Sequence, residues 1–225
     1  MTSQPIRDPV RDHLLTPKNC AVAIIDYQPV QVTSVASMDR RTLVANIVAL
    51  AKTAKLYGVP VVLTTVNVKT GRNQPIIHQL HDIFPDIEPI DRTSINAWED
   101  RDFVDAVRAT GRKKLVMAAL WTEVCLAFPA LDALREGFEV YPVIDAVGGT
   151  SVDAHRAGLD RIVQAGAVPV GWVQLACELQ RDWNRAATVP GFAEIVLPSK
   201  ETEAPRSRFV ANVPSVTTKG EVQCR

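Results

Sequence analysis

The chain has few cysteines, and their spacing excludes a fold built on disulfides. Its 225 residues contain four cysteines, none in a C-x-x-C pair, at Cys20, Cys125, Cys177 and Cys224. Small secreted proteins with disulfide frameworks carry more cysteines at closer spacing. A chain of this length buries roughly 70% of the surface that its unfolded form exposes, so it needs no cross-link to stabilise a core. We therefore expect reduced thiols.

The sequence also lacks an excess of one charge and any long apolar run. It has 25 Lys plus Arg and 25 Asp plus Glu, so its net charge offers no electrostatic basis for binding nucleic acid or an anionic membrane. The longest apolar run near the middle covers seven residues, 115–121, whereas a membrane-spanning helix needs about 20. Charged residues near the N-terminus lie where a signal peptide needs its apolar stretch. We expect a cytoplasmic protein that binds neither nucleic acid nor membrane.

Apolar runs and helical patterns alternate along the chain. Continuous apolar runs, typical of strands buried on both faces, predict strands over 20–25, 59–65, 114–120, 138–144 and 168–173. Apolar residues at helical spacing predict helices over 42–57, 75–83, 99–110, 122–136, 151–165 and 175–183. Such alternation implies parallel strands joined by right-handed crossovers. The predicted fold class is α/β, a Rossmann-like three-layer α/β/α arrangement with a mostly parallel central sheet.

The domain organisation is expected to be one domain over residues 1–196 and a C-terminal tail or arm over 197–225. The tail loses periodicity and fills with Pro, Ser, Thr and charged residues, which leaves a loose tail as one interpretation. It nevertheless keeps apolar residues such as Phe209 and Val213 beside Pro205 and Pro214. That content favours an extended arm that orders on a neighbouring subunit.

Chemically active side chains follow two of the predicted strands. Ligands bind beyond the carboxyl ends of strands in an open α/β sheet. Asp26 directly follows the first apolar run, where a carboxylate is costly unless it is paired, functional or caps a turn. Cys125 lies in the first turn of the helix after the third run, where free N–H groups and the helix dipole stabilise a thiolate and an oxyanion. The other three cysteines lack this setting.

Five blocks of the sequence resemble the isochorismatase-like cysteine hydrolases, in particular their YcaC-like branch. The blocks are Ala-Ile-Ile-Asp-Tyr-Gln (23–28), Ile-Asn-Ala-Trp (95–98), Ala-Thr-Gly-Arg-Lys-Lys-Leu (109–115), Trp-Thr-Glu-Val-Cys-Leu-Ala-Phe-Pro-Ala-Leu (121–131) and Cys-Glu-Leu-Gln-Arg-Asp-Trp (177–183). The resemblance implies a Rossmann-like sheet, a homo-oligomer (tetramer or octamer) and a catalytic triad of Asp, Lys and Cys.

The resemblance assigns a role to Asp26, which matches the family's acid–base residue, and to Cys125, which matches its nucleophile. At the position of the family lysine, on the loop before Asn-Ala-Trp, this chain has Arg92 instead. An arginine stays charged and cannot transfer a proton, although it can stabilise a thiolate. Lys113 and Lys114 are the alternative, and we interpret them as charges that lead into the third strand.

The resemblance also implies an oxyanion hole and a substrate pocket. In the family the backbone N–H groups of the nucleophile and of the residue four before it bind the oxyanion, here Cys125 and Trp121. The bond Leu120–Trp121 corresponds to a cis peptide. Gln28, Trp98 and Trp121 are expected to contact substrate, although tryptophans equally often pack in a core.

No metal and no cofactor are expected. Related nicotinamidases carry Asp-x-His and a further His after the second strand, whereas the corresponding residues 65–71 include neither Asp nor His. His78 and His81 share a helix face, but two histidines without a third ligand are interpreted as surface residues. Gly148 and Gly149 predict a turn rather than a phosphate-binding loop.

The predicted function is therefore hydrolysis of a small amide through a thioester on Cys125. A nucleophilic cysteine favours an amide-like carbonyl, since a related branch cleaves a vinyl ether without any cysteine. Two alternatives stay open at this point. One is a non-catalytic family member that binds a metabolite or serves as a subunit of an assembly. The indication for it is Arg92, which stands in place of the family lysine. The other is a thiol redox protein, which would need a resolving cysteine near Cys125.

Overall fold

A computed structural model describes residues 7–197, and its centre is a five-stranded sheet. The strands are β1 (Cys20–Ile25), β2 (Val61–Val66), β3 (Ile90–Arg92), β4 (Lys114–Ala119) and β5 (Glu139–Pro142). They lie in the order β3-β2-β1-β4-β5, and every neighbouring pair is parallel. The predicted fold class is confirmed. Residues 198–225, nearly all of the expected arm, lie outside the described part.

Helices cover both faces of this sheet. They are α1 (Pro29–Thr33), α2 (Arg40–Leu56), α3 (His78–His81), α4 (Arg101–Ala109), α5 (Ala127–Arg135), α6 (Val152–Gln164), α7 (Trp172–Gln180) and α8 (Val189–Val196). Right-handed crossovers place α2 on one face and α4 and α5 on the other, because the chain leaves β1 in one direction and returns past it to β4. Contacts agree, since α2 packs on α7 and α8 whereas α5 packs on α6. Within residues 7–197, no helix is long and apolar enough to cross a membrane.

The two strands at the middle of the sheet are fully buried. Every residue of β1 and of β4 is buried, because helices cover both faces. Their continuous apolar runs made them recognisable from the sequence. The chain order reverses beside β1, so the carboxyl ends of β1 and β4 meet at the topological switch point, where open α/β sheets bind ligands.

The edges of the sheet differ from expectation. The fifth strand predicted over 168–173 is wrong, because only an isolated bridge joins Val143 and Val170 and helix α7 already begins at Trp172. The strand that completes the sheet at the opposite edge, β3, was not expected. It has three residues, two of which carry a charge, so it leaves no apolar run in the sequence.

Lys114 begins β4 and lies at the amino edge of the sheet, away from the switch point. Its buried ammonium donates to the carbonyl oxygens of Asp12, His13 and Leu14 at 2.7, 2.7 and 3.3 Å. Lys114 therefore anchors the N-terminal segment to the sheet. The alternative that it fills the position of the family lysine is excluded by this location.

We predict that Lys114→Met destabilises the fold, because it leaves three partly buried carbonyl groups without their donor. The expected loss in the free energy of unfolding is about 1–3 kcal/mol, measured by urea denaturation. Lys113→Met is the matched control, since Lys113 is exposed and its replacement should leave the urea midpoint unchanged. Equal midpoints for the Lys114 variant and the wild type would contradict the anchoring role.

Candidate active site

Asp26 is the first residue beyond β1, and its backbone turns the chain away from the sheet. Its φ of 60° lies in the left-handed region, which Asp adopts more readily than most residues. Its N–H donates to the Thr64 carbonyl at 3.0 Å, and its carbonyl accepts from the Gln28 N–H at 2.8 Å. The side chain is completely buried. A carboxylate in such a place needs a partner.

Arg92 provides that partner from the end of β3, two strands away. Its Nη1 lies 2.8 Å from Oδ1 of Asp26 and its Nη2 lies 2.7 Å from Oδ2, with both side chains 0% exposed. The guanidinium also donates to the carbonyls of Thr65 and Ile95, at 3.1 and 3.3 Å. Two parallel charged hydrogen bonds are the geometry in which a carboxylate and an arginine bind most strongly.

Cys125 lies in a π-helical turn (Thr122–Leu126) that directly follows β4 and precedes α5. The Leu126 N–H donates to the Trp121 carbonyl at 3.1 Å, which closes the wide turn. The side chain is 7% exposed, and the Asp26 carboxylate lies close enough to raise the pKa of its thiol. The fold thus brings Asp26, Arg92 and Cys125 together. The bond Leu120–Trp121 is cis, as the resemblance implied.

Burial raises the pKa of the Cys125 thiol well above its usual range, and the charge and hydrogen bond of Asp26 raise it further. The Arg92 charge and a hydrogen bond from the Trp121 N–H lower this pKa, with smaller effects. Burial and the neighbouring charge of Asp26 thus oppose the thiolate that the helix start alone would favour.

The side chain of Gln28 bonds to backbone groups after β2. Its Nε2 donates to the carbonyls of Val66 and Gln74 at 3.1 and 2.6 Å, and its Oε1 accepts from the Val66 N–H at 2.9 Å. Both ends of the fully buried amide are thus bonded to the chain after β2. These bonds give Gln28 a structural role, and its contact with substrate stays a prediction.

Trp98 belongs to the packing beside α4 and α5. Its ring meets Phe103 and Phe138 edge to face, with centroids 6.2 and 5.5 Å apart, and its Nε1 donates to Glu136 at 3.0 Å. These contacts favour the core interpretation of Trp98 over substrate binding.

Trp121 immediately precedes the turn that carries Cys125 and is partly exposed. Its Nε1 donates to the Ser34 hydroxyl at 2.9 Å and to the Gln31 carbonyl at 3.2 Å. The two hydrogen bonds join the indole to the end of α1. Its contact with substrate stays a prediction.

Asp91 is a site residue that the sequence did not reveal. Its carboxylate accepts from the N–H groups of Val68 and Lys69 and from the Thr65 hydroxyl, at 3.0, 2.8 and 3.0 Å. Although burial opposes the charge, these hydrogen bonds lower the pKa of Asp91. Asp91 thus shapes the loop after β2 while its neighbour Arg92 binds Asp26. No motif marks such a role.

Histidines and acidic groups do not converge at this site. In the part of the chain between residues 7 and 197, no three His, Cys, Asp or Glu side chains lie close enough to hold a metal ion. His78 and His81 lie on the four-residue helix α3. His81 is exposed and has Asp82 at 3.7 Å.

Comparison with known proteins reveals clear relatives. The isochorismatase domain family matches residues 20–174. Probable hydrolase YcaC from Escherichia coli K12 is 42% identical over 171 residues, which are 76% of this chain and 82% of that protein. The secreted isochorismatase effector Isc1 from Phytophthora sojae is 28% identical over 130 residues, 56% of this chain and 61% of that protein.

Solved structures show the same relationship. YcaC from Pseudomonas aeruginosa, solved with hexane-2,5-diol and covalent acrylamide, has a TM-score of 0.73 and 36% identity, covering 82% of this chain and 96% of its own. The E. coli YcaC gene product, described as an octameric hydrolase of unknown specificity, has a TM-score of 0.77 and 39% identity, covering 86% and 91%. Nicotinamidase PncA from Bacillus subtilis, at 19% identity and a TM-score of 0.57, shares the fold over 68% of this chain and 99% of its own.

We predict that Asp26→Asn speeds the reaction of Cys125 with iodoacetamide at mildly alkaline pH. The change removes the negative charge that raises the thiol pKa and leaves the Arg92 charge in place, so the thiolate fraction rises. A fall of one unit in pKa raises that fraction about tenfold. Mass spectrometry of the labelled Cys125 peptide measures the rate, with the exposed Cys177 as an internal control. Slower labelling in the variant would contradict a resting thiol.

Proposed function

The chain belongs to the isochorismatase family, and on this basis we propose that it is a cysteine hydrolase that cleaves the C–N bond of small amides. The observation that carries the proposal is the buried ion pair of Asp26 and Arg92 beside the buried thiol of Cys125, on which both charges act. A nucleophile, a base and a fixed positive charge are the groups that acyl transfer through a cysteine requires.

In the first half of the proposed reaction, Asp26 accepts the thiol proton while the Cys125 sulfur bonds to the carbonyl carbon. The carbonyl oxygen becomes an oxyanion that the backbone N–H groups of Trp121 and Cys125 bind. The C–N bond then breaks, and the proton on Asp26 passes to the leaving amine or ammonia. A thioester on Cys125 remains.

In the second half, Asp26 is again a carboxylate and removes a proton from a water molecule. The resulting hydroxide bonds to the thioester carbon, and the same N–H groups bind the second oxyanion. Breaking the C–S bond releases the carboxylic acid, and the proton returns from Asp26 to the sulfur. No metal or organic cofactor takes part in these steps.

Arg92 acts in this proposal as a permanent charge. Its guanidinium does not lose its proton under working conditions, so it cannot relay one. Its two hydrogen bonds hold the Asp26 carboxylate in place. In the proposed steps the proton on Asp26 passes to the leaving group or back to the sulfur, since Arg92 cannot accept it.

Small amides are the proposed substrate class. The low exposure of Cys125 favours a small molecule over a peptide or polymer. The P. aeruginosa YcaC structure, solved with covalent acrylamide, shows a molecule of this size bound to a relative. Gln28 and Trp98, which have structural partners, are not needed as substrate contacts.

The redox alternative receives less support. Cys20 begins β1 at the end of the strand opposite Asp26, and Cys177 is exposed on α7, so neither is placed to form a disulfide with Cys125. Cys224 lies outside the described residues. A reduced nucleophile accords with the cytoplasmic location that we propose.

We predict that Cys125→Ser abolishes ammonia release from a panel of small amides such as formamide, acetamide and nicotinamide, assayed in the presence of EDTA. Cys177→Ser is the matched control and should retain wild-type turnover, because Cys177 is exposed on α7. Asp26→Asn should lose about 10²–10⁴-fold, the usual contribution of a general acid–base group. Turnover that survives in Cys125→Ser, or that EDTA removes, would contradict the mechanism. A folded wild type that hydrolyses no amide would favour the non-catalytic alternative.

We also propose a homo-oligomer, as the octameric YcaC structure suggests. Light scattering of the full chain should give a mass close to eight times that of one chain, with a tetramer as the smaller symmetric form of the same assembly. A monomer at micromolar concentration would contradict the proposal.

A further inference from the structure

Glu123, two residues before the nucleophile, bonds the π-helical turn to the loop between β5 and α6. Its Oε1 accepts hydrogen bonds from the N–H and the hydroxyl of Thr150, at 2.9 and 2.6 Å. The neighbouring Thr122 N–H donates to the Gly148 carbonyl at 2.9 Å. The turn and this loop are thus joined at two consecutive residues. None of these residues takes part in the proposed acid–base chemistry.

Helix α6 contacts the backbone of the same turn. A Cβ built on Gly158 would lie 2.8 Å from the Cα of Glu123, 3.0 Å from its N and 3.2 Å from the carbonyl carbon of Thr122. Its φ is not in the left-handed region, so space alone requires glycine there. One turn earlier on α6, His155 Nδ1 lies 2.8 Å from the Thr122 hydroxyl.

We propose that Glu123 and Gly158 are positioning residues for the oxyanion hole. The turn lies between Asp26, whose charge acts on the thiol, and α6, which contacts residues 122–123. The N–H groups of Trp121 and Cys125 lie at either end of residues 122–124. Their direction therefore depends on how closely the turn sits against α6. The inference rests on the proposed function, because an oxyanion forms only if Cys125 attacks a carbonyl.

Two probe molecules distinguish an effect on the N–H groups from an effect on the sulfur. Propanal adds to a cysteine by forming an S–C bond, and the thiol proton ends on the former carbonyl oxygen, which occupies the oxyanion position as the adduct forms. Iodoacetamide is displaced at a saturated carbon, with iodide leaving, so no oxyanion arises. Propanal affinity thus reports the N–H placement, and the alkylation rate of Cys125 reports the sulfur alone.

The test compares Gly158→Ala with Gly191→Ala. Gly191 lies on α8, where a Cβ would come 2.8 Å from the Leu56 side chain, so the control makes the same change at an equally close contact away from the turn. Gly158→Ala should weaken propanal binding about 10- to 100-fold, because an oxyanion donor that is moved out of place loses most of its hydrogen bond to the adduct oxygen. Its iodoacetamide rate should stay near the wild-type rate. Gly191→Ala should change neither quantity.

A second pair of variants tests Glu123 and remains decisive if Gly158→Ala fails to fold. Glu123→Leu removes both hydrogen bonds to Thr150, and we expect propanal affinity to fall about tenfold, because the turn that carries the oxyanion donors is no longer bonded to the loop through residue 123. Glu123→Gln keeps an oxygen acceptor and should restore the affinity, which a charge effect would not do.

Distinct outcomes overturn distinct claims. Wild-type propanal affinity in both Gly158→Ala and Glu123→Leu overturns the positioning role. A parallel fall in propanal affinity and alkylation rate also overturns it, since the sulfur itself would then be disturbed. If the wild type binds no propanal and releases no ammonia, the proposed function fails and the inference with it.

Discussion

The buried ion pair between Asp26 and Arg92 is the interaction on which the rest of the site depends. Both side chains are 0% exposed, and two short hydrogen bonds join them. Leaving either charge buried alone would cost several kcal/mol. The end of β1 and the end of β3 must therefore stay aligned across β2, because Arg92 at the end of β3 has to reach Asp26 just beyond β1.

The same pair explains the state of the nucleophile. Asp26 and Arg92 already neutralise each other, so a thiolate at Cys125 would add an uncompensated negative charge to a buried place. The pair therefore disfavours ionisation of the thiol. Because an arginine cannot change its charge, the proposed mechanism confines proton transfer to Asp26, the sulfur and the reacting molecules.

The nucleophile turn is held between that ion pair and α6. The Asp26 charge acts on the thiol, while Glu123 bonds to Thr150 and Gly158 lies against the backbone of the turn. Each contact joins segments far apart in the chain. The carboxyl ends of parallel strands supply the reactive side chains, and the helix after β5 supplies the surface against which they are oriented.

The sequence by itself determined the two central strands, and with them the places of Asp26 and Cys125. A strand buried on both faces must be continuously apolar, so a polar residue at its end stands out. The resemblance to a family then indicated Arg92, which no pattern marks. Only the tertiary structure decided that β3 is a strand, that Gln28 and Trp98 have structural partners, and that burial and Asp26 raise the pKa of the Cys125 thiol. The reason is physical: burial and pairing depend on groups that are distant in sequence, as Asp26 and Arg92 are by 66 residues, and local patterns carry no record of such contacts.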